Sequence, residues 1–318
     1  FCFYEALNDA SNYQRTYSIG EVEIEGSAIF HKTEYRERRN HYTLFGCTKP
    51  VAGFDTSRDA FVGVHEGLHE AKVPFNGHCT NSRAFGWNPV GAHEIALDLA
   101  PGAEETFAFV LAYVDQGETP KFDAPFVMNK TLGRELVAKY AKPGAVDEAF
   151  GRLNGFWTGL LDGFQVACPN EHLARMVNAW NQYQVMATFN LSRSASLFET
   201  GIGRGMGFRD SNQDLLGFVH MIPDRARQRI LDLAATQLAD GTCFHQYQPL
   251  TKKGNAEVGG GFYDDHLWLI LSTCSYVRET GDASILDAPC GYADRPGSTD
   301  SLLHHLETSI AFTLSHRG

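Results

Sequence analysis

No run of about 18 apolar residues occurs in this chain, so no segment reads as a membrane span. Clustered positive charge is scarce too. Lys and Arg number 27 against 38 Asp and Glu, a net charge of −11, which argues against a surface built to neutralise nucleic-acid phosphates. The one arginine cluster, Arg36, Arg38 and Arg39, is broken by Glu34 and Glu37 and reads as a solvated strand edge. Closely spaced cysteines are missing as well. None of the seven (Cys2, Cys47, Cys79, Cys168, Cys243, Cys274, Cys290) lies within four residues of another, which excludes CxxC and zinc-ribbon sites. An odd count in so long a chain speaks against a disulfide framework. Reduced, mostly buried thiols in a cytoplasmic protein are the expectation. No signal-peptide pattern is in view, and both ends, Phe1-Cys2-Phe3-Tyr4 and Ser315-His316-Arg317-Gly318, look cut from something longer.

What is present is ordinary globular material. The 318 residues are 43% hydrophobic and 12% aromatic, enough for roughly two domains of about 150 residues. The first part reads as β. Val22-Glu23-Ile24-Glu25 alternates apolar and polar, as a half-buried strand does. Ile95–Leu99, a turn at Pro101-Gly102, and Phe107–Tyr113 read as strand, turn and strand. Repeated turn signals to about residue 120 predict a β-sandwich.

After Pro120 the pattern turns helical. Helices are expected over 131–141 and 146–161, separated by Pro143-Gly144. Leu173, Met176, Val177, Trp180, Tyr183 and Ala187 keep the spacing of a core-facing stripe. Pro223 opens a helix predicted to close at Gly241, and a helix over 264–280 is predicted to close at Gly281. Leu302, Leu306, Ile310 and Leu314 recur every four residues.

Three segments carry chemistry. His65-Glu66-Gly67-Leu68-His69 matches H-E-x-x-H, which needs a helix to bring both histidines to one face. Gly63, Gly67 and the nearby Pro74 break any such helix, so no metal site is expected there. The segment 190–214 sets Arg193, Arg204 and Arg209 among glycines with Asp210 and Asp214. Glycine lets a ligand approach the backbone, Arg forks onto phosphate or carboxylate, and Asp accepts from sugar hydroxyls. Helix capping by Asp210 or Ser211, with Asp214 in the first turn, accounts for the acids but not for the arginines. The segment 244–268, from Phe244-His245-Gln246-Tyr247 to Phe262-Tyr263-Asp264-Asp265-His266-Leu267-Trp268, offers aromatics, amides and a carboxylate pair. That composition serves a sugar site or a helix start capped by Asp264 equally well.

Several stretches together resemble a known family. Gly-Phe-Arg-Asp-Ser-Asn-Gln-Asp-Leu at 207–215, His-Gln-Tyr-Gln-Pro-Leu-Thr-Lys at 245–252 and Asp-Asp-His-Leu-Trp-Leu at 264–269 are similar to the cellobiose phosphorylases of glycoside hydrolase family 94. Asn8–Arg15 and Ser57–Gly63 resemble the same family, so the likeness covers essentially the whole chain. It implies a multidomain β plus α chain: a β-sandwich over 1–120, a helical linker over 121–166, and over 167–318 the first part of an (α/α)6 barrel. It further implies inverting phosphorolysis of cellobiose by inorganic phosphate, giving α-glucose 1-phosphate and glucose, in a homodimeric cytoplasmic enzyme. Phosphate is a co-substrate, and no cofactor or metal is implied. Nucleic acid and membrane are not partners on this reading. Arg204, Arg209 and Asp210 are then expected to hold the glycosyl unit, Arg193 and Arg204 the phosphate, and Gln14 and Arg15 the acceptor sugar.

The sequence departs from the family in one respect. The family's general acid is an Asp two residues after a Trp, and none of Trp87, Trp157, Trp180 or Trp268 is followed by Asp at that spacing. The acid is expected beyond Gly318. A barrel of twelve helices needs on the order of 350 residues, whereas 167–318 supplies 152. The 318-residue chain alone is therefore expected to be inactive. Two alternatives stand: a non-catalytic carbohydrate-binding β-sandwich with a helical scaffold, and a phosphorylase for chitobiose, laminaribiose or a cellodextrin.

Overall fold

The computed structural model describes residues 20–32, 40–86, 89–191, 206–248, 252–256 and 262–316. Gln14, Arg15, Arg193 and Arg204 lie outside the described residues, as do Cys2 and the 34–39 charge cluster. The chain divides into two compact units, Phe1–Arg152 and Leu153–Gly318.

In the first unit, β1 (Gly20–Glu25) turns at Gly26, where φ is +56°, into β2 (Ala28–Lys32). Then come β3 (His41–Cys47), β4 (Gly53–Ser57), short helices α1 (Arg58–Phe61) and α2 (Lys72–Asn76), β5 (Phe85–Gly86), β6 (Pro89–Glu94) and β7 (Phe109–Asp115). An antiparallel sheet runs β5-β1-β2-β3-β7, and β4 pairs with β6 in a separate ladder. The hairpin β8 (Phe122–Ala124) and β9 (Val127–Met128) leads into α3 (Thr131–Tyr140).

Helix α3 lies on this sheet. Phe30, Tyr42, Leu44, Val110, Val114 and Met128 form a core against Leu132, Leu136 and Val137. The Gly133 N–H donates to Tyr42 Oη at 2.9 Å, and a Cβ on Gly133 would fall 2.7 Å from Phe30. The alternating acids of β1 meet the basic start of this helix: Glu23 pairs with Lys130 and with Lys32, and Glu25 pairs with Arg134 at 2.6 Å. The polar face of that strand is thus an anchor for α3 as well as a wet surface.

One expectation changes in this unit. The β7 strand forms, but Ile95–Leu99 is irregular, with Leu97 and Leu99 about half exposed. The β4–β6 ladder stops at Gly53 and Glu94, so the following residues have no strand to pair with. Around the H-E-x-x-H match, helical geometry begins only at Leu68, as a single turn to Glu70, and His65, Glu66 and His69 are all exposed. Gly63 holds φ at +105°, and the His69 ring folds back over Gly67. Among the described residues no group of three or more His, Cys, Asp or Glu is placed to hold a metal ion.

Helix α4 (Ala145–Leu161) runs across the boundary between the units. The second unit continues with α5 (Glu171–Arg175), a π-helical stretch at Met176–Asn181, and α6 (Gln182–Leu191). Then follow β10 (Met206–Gly207), α7 (Phe208–Phe218), α8 (Pro223–Ala234), β11 (Gln246–Gln248), β12 (Lys253–Asn255), α9 (Trp268–Thr280), β13 (Pro289–Gly291), β14 (Thr299–Ser301) and α10 (Leu302–Ser315). One apolar cluster, including Phe208, Leu215, Phe218, Ile230, Leu233, Leu269 and Leu302, joins α7 to α10.

The expected core stripe of the 171–191 rod is its open face instead. Leu173, Met176, Trp180 and Tyr183 are 45–55% exposed and border a groove of about 730 Å³ with Trp157 and Leu161. Gln182, Met186 and Phe189 are buried, and Val185 packs on Gly217 of α7. Apolar residues occupy both faces, so spacing could not tell which one is covered. The π stretch disturbs the backbone ladder, and the Gln182 side chain donates to the Asn178 carbonyl at 3.0 Å.

Gly281 ends α9 in the left-handed region (φ +73°), as predicted. Gly241 does not end the preceding helix: α8 stops at Ala234, and Gly241 (φ +96°) packs against the α10 backbone at Thr308. Gln237 makes the detour possible, donating from its buried amide to Ser309 Oγ at 2.6 Å and to the carbonyls of Gly241 and His305 at 3.1 Å. The α10 repeat is half covered: Leu302 and Leu306 are buried, Ile310 and Leu314 exposed. Among the described cysteines, which are all free, Cys47 and Cys290 are buried and Cys274 is exposed, so mostly buried thiols is too strong a statement. No described helix is long and apolar enough to cross a membrane.

Candidate functional site

The site forms where the start of α7 meets the β10–β11–β12 sheet and the turn leading into α9. Met206 pairs with Tyr247 and Gly207 with Gln246, and Gln246 pairs in turn with Asn255. This ladder fixes the entry to α7. Gly207 is the N-cap, and the Phe208 N–H donates to the His245 carbonyl at 2.8 Å. One donor of the first turn is therefore satisfied by the sheet, and no side chain caps this helix. The helix starts earlier than a cap at Asp210 or Ser211 would allow, because strand pairing rather than a side chain sets its first residue. Asp210 lies within the first turn, its carboxylate folded against the Gly207 Cα, while Asp214 lies a turn further along.

Arg209 leaves α7 toward the turn before α9. Its Nη1 donates to Asp264 Oδ2 at 2.9 Å, and Trp268 Nε1 donates to the same oxygen at 3.1 Å. Asp264 makes no capping bond. The bonds from Trp268 and Arg209 hold its carboxyl below the usual carboxylate range, and the same bond holds the Arg209 guanidinium up. Asp264 is thus a fixed anion and a poor proton donor.

Asp265, one residue on, is 2% exposed and accepts from His245 Nδ1 at 2.7 Å. Burial raises its carboxyl above the ordinary value, against the pull of His245. The His245 ring stacks on Phe262, centroids 4.0 Å apart and planes 20° apart. Below the sheet, Tyr247 Oη donates to Asp232 Oδ2 at 3.4 Å, and Lys252 approaches Asp232 Oδ1 at 3.1 Å. On the far side of α7, Ser272 Oγ donates to Asn212 Oδ1 at 2.6 Å and ties α7 to α9.

Of the sequence-expected site residues, Arg209 and Asp210 occupy this place, and Arg193, Arg204, Gln14 and Arg15 lie outside the described residues. The two segments 190–214 and 244–268, read separately in sequence, supply one site. The partners of Arg209 were missed. Asp264 and Trp268 stand four residues apart, and that spacing was the available signal for a carboxylate fixed by an indole. Chemically, the arrangement presents a pinned guanidinium, carboxylates and an imidazole beside an aromatic ring. These are groups suited to hydroxyl recognition.

A sequence model described as "Glycosyl hydrolase 94, supersandwich domain" matches residues 1–143, and one described as "Glycosyl hydrolase 94 superfamily, catalytic domain" matches residues 156–318. The N,N'-diacetylchitobiose phosphorylase of Vibrio proteolyticus is 29% identical over all of this chain and 40% of its own length. The solabiose phosphorylase of Paenibacillus borealis is 26% identical over 85% of this chain and 31% of its own. The cyclic beta-(1,2)-glucan synthase NdvB of Rhizobium meliloti is 27% identical over 76% of this chain and 8% of its own. The chain spans about two-fifths of the length of the chitobiose phosphorylase it matches.

Proposed function

The chain belongs to the glycosyl hydrolase 94 superfamily, and on that footing we propose that it carries the glycosyl-binding part of a disaccharide phosphorylase. In the proposed reaction an oxygen of inorganic phosphate attacks the anomeric carbon from the face opposite the departing sugar. The glycosidic bond breaks, the configuration inverts, and a sugar 1-phosphate and a free sugar result. Phosphate replaces the activated water of inverting hydrolysis, so one proton donor suffices, and arginines hold the nucleophile.

The observation that carries this reading is the Arg209–Asp264–Trp268 constellation, with Asp210 beside it at the start of α7. In the proposal, Arg209 and Asp210 bind hydroxyls of the glycosyl unit. Arg193 and Arg204 hold phosphate, Arg204 also reaching the glycosyl unit, and Gln14 and Arg15 line the acceptor's place. The substrate class is a β-linked disaccharide of glucose or N-acetylglucosamine; cellobiose fits the 245–252 motif, and chitobiose fits a relative's name.

We also propose that the 318-residue chain by itself binds sugar without turning it over. Asp264 is held ionised, and Asp265 is buried against His245. Release of sugar 1-phosphate from cellobiose or N,N'-diacetylchitobiose plus phosphate is the test, and clear turnover by the purified chain would overturn the point. For the binding role, sugar titration of Arg209→Ala and Asp210→Asn variants decides. Loss in both supports the reading; binding that survives both and maps to the first unit favours a carbohydrate-binding β-domain instead.

A further inference from the structure

Asp265 is buried, yet only half its carboxylate is used. Oδ2 receives the His245 N–H, while Oδ1 has no hydrogen-bond partner. The adjacent Gln246 is also buried, with an unpartnered Oε1. A buried acceptor left unpaired is destabilising, so the arrangement points to a use other than stability.

That use is visible in what Asp265 holds. The bond to Nδ1 fixes which nitrogen of His245 faces inward, and the stack on Phe262 fixes the ring plane. The His245 side chain is 22% exposed. Its Nε2 is left as a directed polar atom at the surface of the site. Among the described residues, Asp265 faces His245, Arg209 and Asp264, and Arg209 in turn faces Asp264, Asp265 and Asp210. This corner thus sets Asp210, Asp264 and Asp265 beside Arg209, donors and acceptors suited to a hydroxyl-rich ligand.

We infer that His245 contacts a hydroxyl of the glycosyl unit through Nε2, with Asp265 as its positioning residue. The inference rests on the proposed function and names a specificity-determining residue for it.

Titration of the chain with D-glucose and N-acetyl-D-glucosamine tests it. His245→Ala weakens monosaccharide binding by about tenfold, the worth of a hydrogen bond in a site of this kind. His245→Gln, which keeps a polar terminus, restores part of the loss. Asp265→Asn weakens sugar binding in the parent chain and adds nothing in the His245→Ala background. Because His245 is partly exposed, its own variants carry the test even where Asp265→Asn fails to fold. Parent-like sugar affinity in His245→Ala, or an equal effect of Asp265→Asn in both backgrounds, overturns the inference. If Arg209→Ala loses sugar while His245→Ala keeps it, this inference alone fails. If the unsubstituted chain binds no sugar, the functional reading falls with it.

Discussion

Arg209 and Asp264, 55 residues apart in sequence, are joined by a 2.9 Å hydrogen bond whose acceptor oxygen is also held by the Trp268 indole. Both side chains of the pair remain substantially exposed, at 37% and 50%. An exposed pair of this kind contributes at most about 1 kcal/mol to folding. Arg209→Ala is therefore expected to leave the thermal midpoint of the second unit within a few degrees of the parent. It should weaken sugar binding by tenfold or more, the range of about 1.5–3 kcal/mol for a hydrogen bond to a charged group. A large stability loss with unchanged affinity would make the pair structural.

Gly207 offers a second test. Its backbone (φ −60°, ψ 136°) suits any residue, so alanine introduces no strain there. A Cβ would, however, press into the Asp210 carboxylate. Gly207→Ala should fold normally and reproduce in weaker form the binding defect of Asp210→Asn, as read by calorimetric titration. Wild-type affinity would show that the Asp210 position is unimportant.

In the first unit, His31 is fully buried, and burial, reinforced by the charges of Lys121 and His41, pushes its imidazole down to about 3. The folded state keeps it neutral while the unfolded chain takes up a proton near pH 6.5. The unfolded state thus binds more protons, and stability falls as the pH drops from about 6.5 toward 3, by up to about 1.4 kcal/mol per unit. Thermal melts between pH 7.5 and 5 lie above most carboxylate titration; His93, which burial pushes down to about 4, adds to the same slope, so the His31 share is read as the difference from its variant. His31→Leu should flatten the slope; an unchanged slope would assign it to other groups.

In the groove bordered by Trp157, Met176, Trp180 and Tyr183, the last three side chains lie 45–55% exposed beside one another, an apolar surface open to association. Concentration-dependent self-association of the chain is expected in light scattering. Trp180→Ser with Tyr183→Ser should lower it while sugar affinity stays the same. Association unaltered by the double substitution would place the contact elsewhere.

The readable parts of the sequence are those where one local rule acts alone. Alternation at Val22–Glu25 gives a strand, and Gly281, the residue most at ease at positive φ, ends a helix. Arg209 and Asp210 stood out because capping could not account for the arginine. Elsewhere two rules competed. Asp264 has the composition of a cap, but the fold offers it a guanidinium and an indole, and charge-assisted bonds outweigh a backbone N–H. Gly241 has the look of a helix end, but a close approach to the α10 backbone claims it. The 171–191 rod is apolar on two faces, and only the presence of α7 decides which is covered.

By itself, then, the sequence determined the succession of strands followed by helices, the turns and ends where glycine is obligatory, and the family motifs around 207–215 and 264–269. Those follow from dihedral preference and periodicity, which act over a few residues. Only the tertiary structure decided which carboxylate meets which cation and that two distant segments form one site. It also decided that Asp265 is sealed behind His245. Such pairings depend on which elements pack together across 20 to 70 residues of chain, and no local rule reaches that far.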